Sequence, residues 1–169
     1  MSWRRGPLAV LAVCVLLATG SAACDSSGGR ETAQDRAYPV GKVLDDTDED
    51  GRHFREVEER DAPEVDIVVQ PVGDGGWEVR LTVEDFTFSP VGTAPEAVWG
   101  RGVARLFIDG RPVVDLHTPR HRLSADLVSR GTHHVTVRLY ADDGTVWAAD
   151  GDPVESTADI TVSDPGPAS

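Results

Sequence analysis

Apolar and polar residues alternate along most of the chain between Pro63 and Val162. In EVDIVVQPV, Val65, Ile67 and Val69 mark one face. In WEVRLTVED, Trp77, Val79, Leu81 and Val83 alternate with Glu78, Arg80, Thr82 and Glu84. A period of two is the signature of a half-buried strand, because successive side chains leave a strand on opposite faces. GDGG at 73–76 separates these runs and reads as a turn, its glycines supplying positive φ. FTFSP follows, and Pro90 stops pairing. Residues 91–102, with Pro95 and three glycines, read as a long loop. VARLFID and GRPVVDL form a hairpin around Asp109-Gly110. Val135, Val137 and Leu139 share a face, DDG turns at 142–144, TVWAA is a short strand, and Ala158, Ile160 and Val162 close the series. Helical spacing is absent at any useful length. About seven short strands, with turns roughly every 8–12 residues, predict an all-β domain of sandwich type over 63–163. A domain of about 100 residues buries roughly 65% of its extended surface and needs no disulfide. Trp77, Phe86, Phe88, Phe107 and Trp147 are the expected core aromatics. Trp99, in a glycine-rich loop, is the exception and the candidate partner-contact residue.

Before Pro63 the alternation is missing. Trp3-Arg4-Arg5 precedes an uncharged run from Leu8 to Ala18, and small residues follow. This is the layout of an export signal, and the run falls short of the ~20 residues a membrane-spanning helix needs. Cys14 lies inside that run, so no structural disulfide with Cys24 is expected. The sequence SAAC at 21–24 resembles the lipobox of bacterial lipoprotein signal peptides, which lipidate the cysteine before cutting in front of it. The usual leucine is replaced by Ser21, and small residues at Ser21 and Ala23 also suit ordinary signal peptidase. Both readings remove residues 1–23 and make Cys24 the first mature residue. Lipid attachment at Cys24 is favoured, since a lone exposed thiol in an exported chain has no other evident use. The polar DSSGG that follows suits an anchor that must clear a membrane. Arg4-Arg5 raises a twin-arginine signal, but Gly6-Pro7 fits it poorly.

Residues 24–62 lack periodicity, open with serines and glycines, and turn acidic. They read as a disordered acidic linker spanning roughly 35 Å. The 164–169 segment reads as a disordered tail. The whole chain carries 29 acidic and 16 basic residues, a net charge of −13. Two arginines leave with the signal, taking the net charge from −13 to −15. A surplus of carboxylates repels phosphates and anionic headgroups, so nucleic acid is excluded as a partner and membrane attachment must come from acyl chains. Lys42 is the only lysine and asparagine is absent, which points to a GC-rich bacterial genome.

The linker contains Asp46, Asp48, Asp50 and Gly51, the first half of a calcium loop, in which alternate carboxylates converge on one cation. The twelfth position, where a bidentate Glu belongs, is Val57. Two readings stand: a weak Ca²⁺ site at Asp46, Asp48 and Asp50, or a solvated acidic run with no cofactor. The missing Glu favours the second.

VSRGTHHVTVRLYADDG at 128–144 resembles the corner and strand of bacterial immunoglobulin-like domains, which read L-x-x-G-x-H-x-V-x-V before a turn with Asp and Gly. A wider resemblance, over about 63–163, is carried by GWEVRLTVEDFTFSP, GRGVARLFIDGR and WAADGDPVESTADITV. It is to a group of small exported bacterial domains without an established function. The resemblance implies an immunoglobulin-like β-sandwich of about seven strands. In that group the middle motif reads G-H-A-H-L-x-x-x-G, the late turn reads N-D-H, and a His precedes the leucine of the intervening segment, a set suited to copper. Here those positions are Val103 and Arg105, Gly144, and Arg122 before Leu123. The resemblance therefore implies the scaffold without the metal site.

Of the five histidines, His133 reads as a packed corner residue and His134 points the other way. His117 and His121 could clasp a metal only on a helix, which Pro119 argues against. His53 falls in the linker. No G-x-S-x-G or H-E-x-x-H occurs, and GRGVAR lacks the third glycine of a dinucleotide loop. The expectation is a non-catalytic, lipid-anchored domain on the outer face of the cell membrane, binding an envelope protein through Trp99 and the turn at 142–152. The alternative is extracytoplasmic handling of Ca²⁺ or copper, with Asp142, Asp143, Asp150 and Asp152 as a second possible cation cluster.

Overall fold

Each alternating run becomes a strand in the computed structural model, which describes residues 40–73 and 75–163. The expected signal peptide, Cys24 and the tail at 164–169 lie outside the described residues. Twelve strands follow in order: β1 (Lys42–Thr47), β2 (His53–Val57), β3 (Glu64–Pro71), β4 (Trp77–Glu84), β5 (Thr87–Phe88), β6 (Arg101–Ile108), β7 (Arg111–Leu116), β8 (Arg120–Leu123), β9 (Gly131–Ala141), β10 (Val146–Ala149), β11 (Asp152–Pro153) and β12 (Glu155–Val162). Among the described residues the only helical pieces are 3₁₀ turns at Glu59–Asp61 and Ala125–Leu127, so the protein is all-β. None of them is long and apolar enough to cross a membrane.

The strands form two sheets. The larger has nine strands with the path β1-β2-β10-β9-β6-β5, while β7 adds to β6, β12 to β9 and β11 to β10; the smaller is β3-β4-β8. β9 is the organising strand. Its whole second half pairs with β6, from Ile108↔Val135 to Gly102↔Ala141. Its other edge is shared in tandem by β12, over Gly131 to Arg138, and β10, at Tyr140. Val135, Val137 and Leu139 on β9 are fully buried. They join Ala104 and Leu106 of β6, Trp147 of β10, and Val79, Leu81 and Leu123 of the smaller sheet in one apolar cluster. The two sheets thus share a core, and the inward positions are those the alternation selects.

Turn chemistry matches the hairpins. Asp109 and Gly110 have φ of 51° and 75°, the paired positive values of the two-residue turn that suits strand twist. Asp150 and Gly151, at 52° and 85°, do the same between β10 and β11. Gly102 marks a close approach: a Cβ there would lie 1.8 Å from the Tyr140 carbonyl oxygen.

One expectation needs correction. Residues 42–62 are not linker: β1 and β2 form an antiparallel hairpin, and β2 runs parallel to β10, pairing Phe54↔Val146 through Val57↔Ala149. The inward residues of β2 are Arg55 and Val57, so one of its core-facing positions is charged and hides the strand signal. Arg55 is 7% exposed and finds its partners far along the chain, at Thr145 Oγ1 (2.9 Å), Asp143 Oδ2 (2.5 Å) and the Val40 carbonyl. RHRL at 120–123, for which no element is predicted, is a strand, β8, paired to β4 from Trp77↔Leu123 to Arg80↔Arg120. Phe107 is buried as expected, on the face away from the main core. With Tyr140 and Val146 it forms a second cluster, against which Phe54 and Val103 pack.

A chain shortened to begin at Pro63 therefore loses more than a tether. It strips the edge of β10, and leaves Asp143, Arg138 and Tyr140 without their N-terminal partners. We expect it to unfold about 3 kcal/mol or more less stably than residues 40–169, since breaking a buried ion pair alone costs about that much. In thermal unfolding this is a drop of roughly 10 °C or more. Equal midpoints would show the hairpin to be dispensable.

Candidate functional site

The outer face of the large sheet carries a row of charges. Arg105 of β6 stands directly opposite Arg138 of β9. Asp115 of β7 is paired beyond Arg105, and Glu155 of β12 beyond Arg138. Two like charges face to face on neighbouring strands repel, so the row holds only because carboxylates flank it. Asp115 binds Arg105 through both oxygens, at 2.6 and 3.0 Å. Glu155 accepts from Arg138 Nε at 2.7 Å. The turn between β1 and β2 supplies the rest: Glu49 accepts from Arg138 Nη1 at 2.8 Å, and Asp50 lies 3.5 Å from Arg105 Nη1.

Asp48 closes this network. Its side chain is 1% exposed. One oxygen accepts the backbone N–H groups of Asp50 (3.0 Å) and Arg52 (2.8 Å), shaping the turn. The other accepts the Tyr140 hydroxyl at 2.8 Å and lies 3.6 Å from Arg138 Nη1. Arg105 and Arg52 cover the Tyr140 ring, with guanidinium carbons 5.0 and 5.4 Å from its centroid. Burial and the Asp48 carboxylate push the Tyr140 phenol well above its ordinary pKa. Burial works against charge on Arg138, and Glu49 and Glu155 more than reverse it. The Arg105 guanidinium holds Asp115 below the usual carboxylate range, and Arg138 does the same for Glu49.

This arrangement places the three residues of the calcium half-motif apart in role. Asp46 is exposed on β1, Asp48 faces Tyr140 and Asp50 faces Arg105. Val57, at the twelfth position, is buried in the main core. Among the described residues no group of three His, Cys, Asp or Glu side chains is placed to hold a metal ion. Asp142 and Asp143 are also committed to protein partners. Asp142 accepts from Ser89 Oγ (2.9 Å) and Arg101 Nε (2.7 Å), and Asp143 pairs with Arg55 and Thr145.

Positions 103, 105 and 144 do come together. They line one polar cavity of about 280 Å³ with Arg52, Asp115 and Tyr140. In this chain Arg105, Val103 and Gly144 offer it no metal-ligating side chain. Arg122 lies elsewhere, in a shallow hollow with Glu78 and Arg120. Ser89, His117 and Asp142 also lie near one another without forming a relay. The Ser89 hydroxyl donates to Asp142, and His117 Nδ1 meets the Ser89 carbonyl oxygen at 2.7 Å rather than the hydroxyl. The imidazole, the base of a Ser-His-Asp relay, is therefore not on the hydroxyl.

Trp99 lines a groove of about 490 Å³, with Lys42, Glu56, Val57, Glu58, Asp61 and Asp150 among its walls. Trp99 is 46% exposed. Its ring rests edge-on against Trp147, centroids 6.3 Å apart. Trp147 is wholly buried, and its indole N–H has no hydrogen-bond partner among the described residues. The loop end is pinned. Gly100 has φ +58°, and a Cβ there would come within 2.2 Å of the Asp85 carbonyl oxygen. Gly100 also accepts the Thr87 N–H at 2.7 Å. Trp99 was legible as an exposed loop aromatic, and Asp150 falls in the turn at 142–152 expected to act with it; Glu56, Glu58 and Asp61 were not legible, because they come from β2 and the 3₁₀ turn after it, which read as linker.

No family model, curated protein or solved structure matches the chain.

Two predictions follow from the charged face and the corner histidine. Tyr140→Phe should cost about 1 kcal/mol and Asp48→Asn about 2 kcal/mol, the second leaving Arg138 and the phenol poorly matched. In a double-mutant cycle the two should couple by about 1 kcal/mol. Additive effects would mean the hydroxyl does not hold the turn. His133 Nδ1 meets Asp109 Oδ2 at 2.7 Å and its Nε2 meets the Ser129 carbonyl oxygen at 3.0 Å. Two acceptors require both ring nitrogens to donate, which is the imidazolium form. Its pKa is accordingly raised, chiefly by Asp109, and that of Asp109 is lowered by His133. The His133 contribution is complete below about pH 6.5 and is lost as pH rises through the raised value. The Asp109 contribution is complete above about pH 4 and is lost as pH falls through the lowered one. Urea midpoints should fall between about pH 6 and pH 9 in the wild type and fall less in His133→Gln. Parallel curves would sink this assignment.

Proposed function

We propose that this chain is an exported lipoprotein, anchored through acylated Cys24 to the outer face of the cell membrane. It displays a non-catalytic immunoglobulin-like β-sandwich that binds an envelope protein. The anchor rests on the charged start, short apolar run and small residues before Cys24. The sandwich reading is supported by two sheets with a common core and by the corner before β9, where His133 bridges Asp109 and Ser129. The observation that carries the binding reading is Trp99: a large aromatic held half-exposed by a pinned loop, over a groove. A pre-set aromatic loses little freedom on binding and contributes most where it is desolvated. The alternative, cation handling through Asp46, Asp48 and Asp50, has the hydrogen bonds of Asp48 against it, since both its oxygens already serve the fold.

The anchor is tested by growing the producing cell with a labelled fatty acid. Wild-type chain should take up label and sediment with membranes, and Cys24→Ala should carry none and appear in the medium. Unlabelled wild-type chain in the medium would refute the anchor. Cross-linking in intact cells tests the binding module: an envelope protein should be trapped by wild-type chain and released in Trp99→Ala. Equal trapping by both would remove Trp99 from the contact.

A further inference from the structure

The groove beside Trp99 is strongly one-signed. Glu56, Glu58, Asp61 and Asp150 line it, and Lys42 is the one cation among its lining residues. Glu56 accepts the Gly151 N–H at 3.2 Å. Glu58 and Asp61 meet Arg60 at 2.6 and 3.3 Å, but the Arg60 side chain is itself 76% exposed. Exposed pairs of this kind are weak and exchange readily for a better partner. A half-exposed indole lining the same groove as carboxylates suits a guanidinium or ammonium group: an aromatic ring attracts a cation through its quadrupole, and carboxylates take its hydrogen bonds.

We propose that the groove receives an extended, arginine- or lysine-bearing segment of the partner protein, an inference that rests on the reading of the chain as a binding module. Charge complementarity selects a basic occupant. The groove's position selects an extended one. Gly41 and Lys42 belong to its wall, and β1 is the last strand on its side of the nine-stranded sheet. Among the described residues β1 pairs only with β2, and an extended segment is the shape that lies along such an edge. A volume of about 490 Å³ accommodates a long side chain with part of its backbone. The pinned loop presents Trp99 without rearrangement.

The test uses the full chain in detergent, titrated with a short peptide of alternating arginine and serine, and separately with its glutamate counterpart. Binding is read from the Trp99 indole N–H resonance and from indole fluorescence. The arginine peptide should bind and the glutamate peptide should not. Affinity should fall on the order of tenfold in Trp99→Ala and in the Glu58→Gln/Asp61→Asn pair, and fall again at high salt. Trp99→Leu keeps apolar bulk over Trp147 and replaces Trp99→Ala should the latter fail to fold; it should lose affinity at an unchanged melting point. Equal affinity in these variants is adsorption to an acidic protein and overturns the proposal. Saturation of Trp99 by tetramethylammonium, with no peptide binding, overturns the segment in favour of a small amine. A Trp99-dependent cross-link in cells, with neither peptide binding, overturns the basic occupant and leaves the binding module standing. Loss of the cross-link and of peptide binding together removes both.

Discussion

Arg105 and Arg138 face each other across the two central strands of the large sheet, and much of the rest of the structure answers that fact. Asp115 and Glu155 extend the row on either side. Asp48, Glu49 and Asp50 close it from above. Unpaired guanidinium groups on a half-buried face would be costly, and each carboxylate of the network lowers that cost. The N-terminal hairpin is therefore part of the sheet's electrostatics as well as its hydrogen bonding. Tyr140 sits at the centre, its hydroxyl on Asp48 and its ring between arginines. The second apolar cluster, of Phe107, Tyr140 and Val146, is the packing counterpart of the same arrangement.

What the sequence discloses follows from how each strand meets the core. β3, β4, β6, β9 and β12 carry apolar residues at alternate positions, and the folded chain buries those positions. The Asp109-Gly110 turn was equally legible, because two successive positive φ values demand such residues. β2 was not, since its inward Arg55 looks like a solvated residue until Asp143 and Thr145 are brought beside it. β8 offers a single buried apolar residue, Leu123, among three polar ones. Phe107 was recognised as buried, but its apolar neighbours Leu106 and Ile108 concealed which face it served.

The candidate site divides the same way. A tryptophan in a glycine-rich loop is visible one-dimensionally. The acidic run after β1 was visible too, and its spacing suggested calcium. Spacing alone does not say where a carboxylate turns, and Asp48 turns to a tyrosine on β9. Acidic side chains near Trp99 reach it from segments some forty to fifty residues away on either side. No local pattern encodes that convergence.

The parallel pairing of β2 with β10 also bears on how the chain folds. Phe54 joins Val146, and Asp48 joins Tyr140, about ninety residues apart. Contacts of such sequence separation form late, because the loop they close must first lose its freedom. A chain that emerges amino-terminus first holds its first hairpin without a partner until almost the whole domain has followed. β2 and its partner β10 thus stand near opposite ends of the described residues, and their pairing closes the longest loop in the large sheet.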